Sequence, residues 1–200
     1  MSDPLVNVVG RLPETGETIE VAAGILWLRM PLPFALDHIN LWALEDGDGW
    51  TLVDTGIDRT ETTDAWQAIF DGPLAGRPVK RLIVTHFHPD HMGLAGWLCD
   101  KFDIEMWTTE TEWRVASELY YHKNNDQLVD RARGFYHAAG FNADIMGEVE
   151  SRGNPYPKRV APIPKSYVKI AEGQAIDVGG RHWTVMIGTG HSPEHACLYC

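Results

Sequence analysis

Val79-Lys80-Arg81-Leu82-Ile83-Val84-Thr85-His86-Phe87-His88-Pro89-Asp90-His91 is a short apolar run that ends in three histidines and an aspartate. Val79 to Val84 has the length and residue types of a buried strand. The strand therefore delivers a polar cluster at its C-terminal end. His86 and His88, at i and i+2 on extended backbone, point to the same side. Asp90 and His91 follow as the chain turns toward a helix, which brings a carboxylate and a third imidazole to the same region. Imidazole nitrogen with carboxylate oxygen suits zinc and, less strongly, iron or manganese. Two adjacent subsites are open to this pattern, one on His86 and His88 and one on Asp90 and His91.

A catalytic zinc needs three protein ligands and an open position for water. His191 is the natural third ligand, because Gly188-Thr189-Gly190-His191-Ser192-Pro193 sets a histidine on a glycine-rich turn directly after a strand pattern. Water bound there would ionise near neutral pH and supply the attacking hydroxide. His38, His122, His137 and His182 read as ordinary surface or core histidines, and His195 as a residue that lines the pocket. Cys197 and Cys200 have zinc-like spacing, yet i and i+3 on a strand face opposite sides and no second cysteine pair exists. They read as buried strand cysteines, and Cys99 as core.

Outward from the cluster the pattern is β-rich with βα units, which predicts a layered α/β arrangement. Strands are expected at Ile25–Arg29, Ile39–Leu44, Trp50–Val53, Ile104–Trp107, Gln174–Val178, His182–Ile187 and His195–Cys200. Hairpin turns are expected at Glu45–Gly49 and Gly179-Gly180. Helices fit 61–70, capped by Thr60 or Thr62, and 93–101. Met30-Pro31-Leu32-Pro33-Phe34-Ala35-Leu36 is an apolar loop that either packs down or faces a ligand. From about 110 to 160 the chain turns helical, with Tyr120, Tyr121, Tyr136 and His137 as candidate substrate contacts.

The length suits one domain over 1–200. With 17 Lys and Arg against 28 Asp and Glu, the net charge is −11, which argues against a nucleic-acid partner. No apolar stretch approaches a membrane span, Met1-Ser2-Asp3-Pro4 does not read as a secretory signal, and three cysteines give no disulfide framework. A cytoplasmic enzyme with a small-molecule substrate is the expectation; the oligomeric state is not legible. Ala196 to Cys200 is an apolar strand that stops without turn or polar tail, so the sheet is expected to continue past 200. Eight tryptophans should be core or pocket wall.

The chain resembles the metallo-β-lactamase-fold hydrolases, in their glyoxalase II or lactonase-like branch. The H-x-H-x-D-H motif stands here as His86 to His91. The strand-ending aspartate with glycine stands as Asp54-Thr55-Gly56, and the later histidine motif as Gly190-His191-Ser192-Pro193. The likeness covers roughly residues 20 to 110 and 165 to 200. It implies an αβ/βα sandwich, incomplete here at its C-terminal side, with metals at one sheet edge. His86, His88 and His191 would hold a first zinc, Asp90 and His91 a second, and Asp90 would also serve catalysis. Asp54 would sit buried behind them and orient a ligand. Loop 30–36 matches the position of a flap over the site. Two features depart from the family: the aspartate that bridges the metals and a final histidine are not within 200 residues, and the 100-residue gap from His91 to His191 makes 110–160 a helical insertion. Hydrolysis of a thioester, a lactone or a related ester by metal-bound hydroxide is the function implied. The alternatives are an iron-dependent oxidoreductase of the same fold, a phosphodiesterase or nuclease, and a protein with a vestigial site.

Overall fold

The computed structural model describes residues 10–121 and 126–200, so His122 lies outside the described residues. Two sheets face each other. The larger runs in the order β1-β2-β3-β4-β5-β6-β7, from Thr18–Ala22, Ile25–Pro31, His38–Asp46 and Gly49–Val53 to Val79–Ile83, Met106–Thr108 and Val168–Lys169. Its first four strands pair antiparallel and its last four, β4 to β7, pair parallel. The smaller sheet, of β8 (Ala175–Val178), β9 (Arg181–Gly188) and β10 (His195–Tyr199), has the order β10-β9-β8, all antiparallel.

The strand period of two sorts residues into two cores. Ala43, Leu52 and Leu82 join the core beneath the helices, whereas their neighbours Leu44, Val53 and Ile83 meet Ile176, Val178, Val185 and Ala196 between the sheets. Helix α1 (Thr60–Asp71) and α3 (Ala95–Phe102) contribute Trp66, Ile69 and Leu98 to the first core, and α4 (Glu110–Tyr121) contributes Ala116. Each fully buried leucine, isoleucine or valine among them contributes roughly 1.5–3 kcal/mol of transfer free energy. The expected sandwich is therefore present as a helical layer, a large sheet and a small sheet. The outer face of the small sheet, with Thr184, Met186, Cys197 and Tyr199, is exposed. None of the eight tryptophans is exposed.

Several local expectations need correction. Neither Thr60 nor Thr62 caps α1; Arg59 stands at the cap without a side-chain bond, and Thr62 is buried with its methyl against Gly56 and its hydroxyl without a partner. The helix expected over 93–101 forms as α3, Ala95–Phe102, and a separate short helix, α2 (Pro89–Met92), precedes it. Strand β2 runs on through Met30 and Pro31, which pair with Ile39 and His38, so the apolar loop begins at Leu32. Cys197 and Cys200 are exposed: Cys197 points out of β10 on the solvent face of the small sheet, and Cys200 lies just past that strand. Cys99 is buried as expected, and burial pushes its thiol up to about 12. The expected helical stretch holds α4, α5 (Asp126–Ala138), α6 (Ala143–Arg152) and a 3-10 turn at Tyr156–Lys158; the two-residue β7 was not anticipated. The Gly179-Gly180 turn does form, with φ of 59° and 76°, the pair of positive values that a two-residue hairpin needs.

Candidate metal centre

The parallel strands β4 and β5 end side by side, and their C-terminal extensions build the site. Asp54 follows β4 at φ 65°, a left-handed conformation that aspartate tolerates better than most residues. Its carboxylate turns toward the extension of β5. Oδ1 accepts the Thr85 backbone N–H at 2.7 Å, and Oδ2 accepts the Thr85 hydroxyl at 2.9 Å and His91 Nδ1–H at 2.8 Å. Thr55 is buried next to it. Its hydroxyl lies 2.7 Å from the His91 carbonyl and accepts the Leu94 N–H at 2.9 Å, which sets the start of α2 and α3.

The Thr85 hydroxyl has one proton, and that proton goes to Asp54. His86 Nδ1, 2.9 Å from the same hydroxyl, is thereby the donor. The tautomer follows: His86 carries its proton on Nδ1 and presents a bare Nε2. That Nε2 lies 3.1 Å from His88 Nδ1 and 3.1 Å from His191 Nε2, which are themselves 3.1 Å apart.

This triangle tests whether the residues fit a metal. Three nitrogens with at most one proton each cannot satisfy three mutual contacts, since two of them must meet donor to donor or lone pair to lone pair. A cation between them removes the conflict. Bonds of about 2.0–2.1 Å in tetrahedral zinc imply ligand separations of about 3.3 Å, close to the 3.1 Å edges. Burial, with the charge of His91 second, pushes His86 down to about 3. Burial and the neighbouring His191 also lower His88. Both are neutral imidazoles near pH 7, the form that binds metal. Among the described residues, His86, His88 and His191 are the group whose donor atoms converge this closely. The donor set fits.

The remaining expected residues lie beside the triangle. The rings of His91 and His195 stand 4.0 Å and 4.5 Å from that of His86. Asp90 Oδ2 is 3.4 Å from His91 Nε2. Burial would raise Asp90, but the hydrogen bond and charge of His91 outweigh it and hold the carboxyl below its usual range. A cleft of about 480 Å³ between the sheets reaches Asp54, His91 and His195 past Trp42 and Trp183. His38 pairs with Asp37, His182 with Asp177, and His137 is exposed. Tyr121 donates its hydroxyl to the Ile163 carbonyl and Tyr136 packs on Phe141.

Sequence reasoning missed three side chains that hold the site. Thr55 and Tyr156, whose hydroxyl donates to the Phe87 carbonyl at 2.6 Å, are two. Glu112 is the third, fully buried and bonded to both histidine loops. Its signal was legible: Glu112 shares with Ala116 the inward i, i+4 stripe of α4, where a charged residue needs a reason.

A layered sandwich that gathers imidazoles at the C-terminal ends of central parallel strands defines a metal-site α/β fold. The chain belongs to the metallo-beta-lactamase superfamily, whose family model matches residues 35–200. A beta-lactamase domain protein from Burkholderia ambifaria has a similar structure, with a TM-score of 0.78 and 41% identity over 95% of this chain and 55% of that one. A metallo-beta-lactamase family protein from Thermus thermophilus shares the fold at a TM-score of 0.71 and 24% identity, over 89% of this chain and 56% of its own. The probable metallo-hydrolase YqjP of Bacillus subtilis is 25% identical over 88% of this chain and 53% of its own length. The probable metallo-hydrolase YybB of the same organism is 33% identical over 43% and 38%. The chain thus spans about half the length, or less, of these relatives.

Proposed function

We propose that this protein is a zinc-dependent hydrolase of a small-molecule thioester, lactone or related ester. The observation that carries the reading is the triangle of His86, His88 and His191 nitrogens with 3.1 Å edges. When bound there, zinc supplies a Lewis acid and brings the pKa of a coordinated water near 7. The side chains do the rest. His86, His88 and His191 hold the ion, with His86 fixed in its tautomer by Thr85. Asp90 and His91 form part of a second metal subsite, and Asp54 orients His91 from behind. Asp90, held ionised beside the cluster, takes up the proton of the attacking water and returns it to the leaving group.

Membership of the superfamily and the names of the Bacillus relatives support hydrolysis. The apolar loop supports a substrate with an apolar portion. Leu32 is buried while Phe34 and Leu36 are exposed, and Phe34 lies under the Arg159 guanidinium at 5.0 Å, near the Tyr156 that holds Phe87. The −11 charge disfavours a phosphodiester polymer. Free thiols at Cys99, Cys197 and Cys200 suit a reducing compartment such as the cytoplasm. Among the described residues no helix is long and apolar enough to cross a membrane.

Metal analysis and a panel of thioesters and lactones, with and without chelator, test the reading. Zinc in the protein and turnover that chelator abolishes are expected. Iron without zinc, or no chelator-sensitive turnover on any member, overturns it.

A further inference from the structure

We propose that Glu112 is a positioning residue of the metal centre, a single buried carboxylate that sets the spacing of the two loops that carry the ligands. The proposal rests on the reading of His86, His88 and His191 as metal ligands. Glu112 is 0% exposed. Oε2 accepts the N–H of Phe87 at 2.9 Å, and Phe87 is the residue between His86 and His88. Oε1 accepts the Ser192 hydroxyl at 2.8 Å and the Glu194 N–H at 2.6 Å, directly after His191. One side chain from α4 thus joins loops that lie more than 100 residues apart in sequence.

A simpler account makes Glu112 an ordinary buried ion-pair member. Among the described residues, however, no lysine or arginine pairs with it, and three N–H and O–H donors take the place of a cation. Leaving a carboxylate buried on neutral donors is costly unless each bond is well made. The donors chosen are those of the two histidine loops. Nearby bonds reinforce them. Thr109 Oγ1, at the start of α4, is 3.4 Å from the Glu194 carbonyl, and the Thr111 N–H meets Glu194 Oε2 at 3.2 Å. Tyr156 holds the opposite side of the Phe87 peptide. The triangle edges depend on the relative register of the two loops, and Glu112 is the side chain that touches both.

Chemistry singles out a carboxylate. Glutamine offers one acceptor oxygen, and its NH2 would face either Phe87 N–H or the Ser192 and Glu194 donors, forcing one loop away. Serine at 192 tests the link more gently, since Ser192→Ala removes one of the three donors and leaves the carboxylate.

The test is cobalt(II) binding to the 200-residue chain, read as dissociation constant and d–d absorption spectrum, with thermal melts alongside. Glu112→Gln is expected to bind cobalt about tenfold or more weaker, with an altered d–d spectrum. Ser192→Ala is expected to fold, to bind severalfold weaker and to shift the spectrum in the same sense. Val178→Ala, a core truncation at the far hairpin, is expected to lower the melting temperature and leave cobalt affinity and spectrum unchanged. Wild-type affinity and spectrum in both Glu112→Gln and Ser192→Ala overturn the proposal. If Glu112→Gln does not fold, Ser192→Ala decides alone by the same readout. Failure of the unmutated chain to bind cobalt removes the metal reading itself, and this proposal with it.

Discussion

Asp54 Oδ2 and His91 Nδ1 lie 2.8 Å apart, with Asp54 buried and His91 nearly so. Burial would lower His91, but the charge and hydrogen bond of Asp54, with Asp90 adding to them, raise it to about 10 in the metal-free protein. Burial would likewise raise Asp54, and His91 and Thr85 together hold it below its usual range.

The pair gives a pH-dependent stability. The folded pKa of His91 lies above its unfolded value of about 6.5. Its proton therefore stabilises the fold fully below about pH 6.5, and that contribution is lost as pH rises through about 10. The depressed Asp54 carboxyl adds stability above its unfolded pKa of about 3.9 and loses it on acidification. Asp54→Asn should cost about 3 kcal/mol near pH 6 in chelator-treated protein, since it leaves a buried imidazolium without its partner. The penalty should shrink toward pH 10. Urea denaturation at pH 6 and 9.5 measures both, and equal penalties at the two values would refute the assignment.

Thr85 carries the same carboxylate's influence to the histidine triangle. Its hydroxyl bridges Asp54 Oδ2 and His86 Nδ1, each at 2.9 Å. Thr85→Val keeps the shape and removes the bridge, so His86 loses the acceptor that fixes its tautomer. Zinc or cobalt affinity should fall about 10–100-fold, while the melting temperature of the metal-free protein moves much less. Competition against a chromophoric chelator reads the affinity; unchanged binding would show that the tautomer is fixed without Thr85.

Much of this centre was legible because its parts are contiguous. His86 to His91 span six residues just past a strand end, and strand geometry alone puts two imidazoles on one side. His191 was legible from its glycine turn. Tyr156 was not, because its partner is a peptide carbonyl of a distant loop and carries no sequence signature, and Glu112 left only the trace of a charge on the inward stripe of α4. The error over Cys197 has a related cause. Period two tells which strand residues share a face, but not which face is covered, and the outward face of β10 meets solvent. The two-residue β7 is too short for any period to show.

Trp66 links the core to the aspartate turn. It is fully buried, stacks on Phe70 at 5.2 Å, and donates its indole N–H to the Thr55 carbonyl at 2.7 Å. Trp66→Phe keeps an aromatic ring but leaves that carbonyl unpaired and a small void beside it. A loss of about 2–4 kcal/mol is expected, measured by equilibrium unfolding in urea. A loss below about 1 kcal/mol would show that the bond to Thr55 contributes little.

Gly96 sets two effects of a methyl group against each other. In the first turn of α3, glycine to alanine ordinarily stabilises by about 1 kcal/mol through helix propensity. Here a Cβ would stand 1.9 Å from the Pro162 carbonyl oxygen, a backbone atom that cannot swing aside as a side chain would. The chain at 160–163 is pinned where it crosses α3, because Ala161 N–H bonds the Gly93 carbonyl at 2.7 Å and Val160 and Ile163 are buried on either side. Relief requires moving that backbone, and with it the nearby Tyr156 that holds Phe87 between the two histidines. Overpacking should win, with a net loss of at least about 3 kcal/mol. For a chain of this size that corresponds to a fall in melting temperature of about 6–12 °C. Gly96→Ala should also weaken cobalt binding, because the shift reaches the ligand loop. A variant that melts at or above the wild-type temperature would mean that segment 160–163 does not lie against α3 as described.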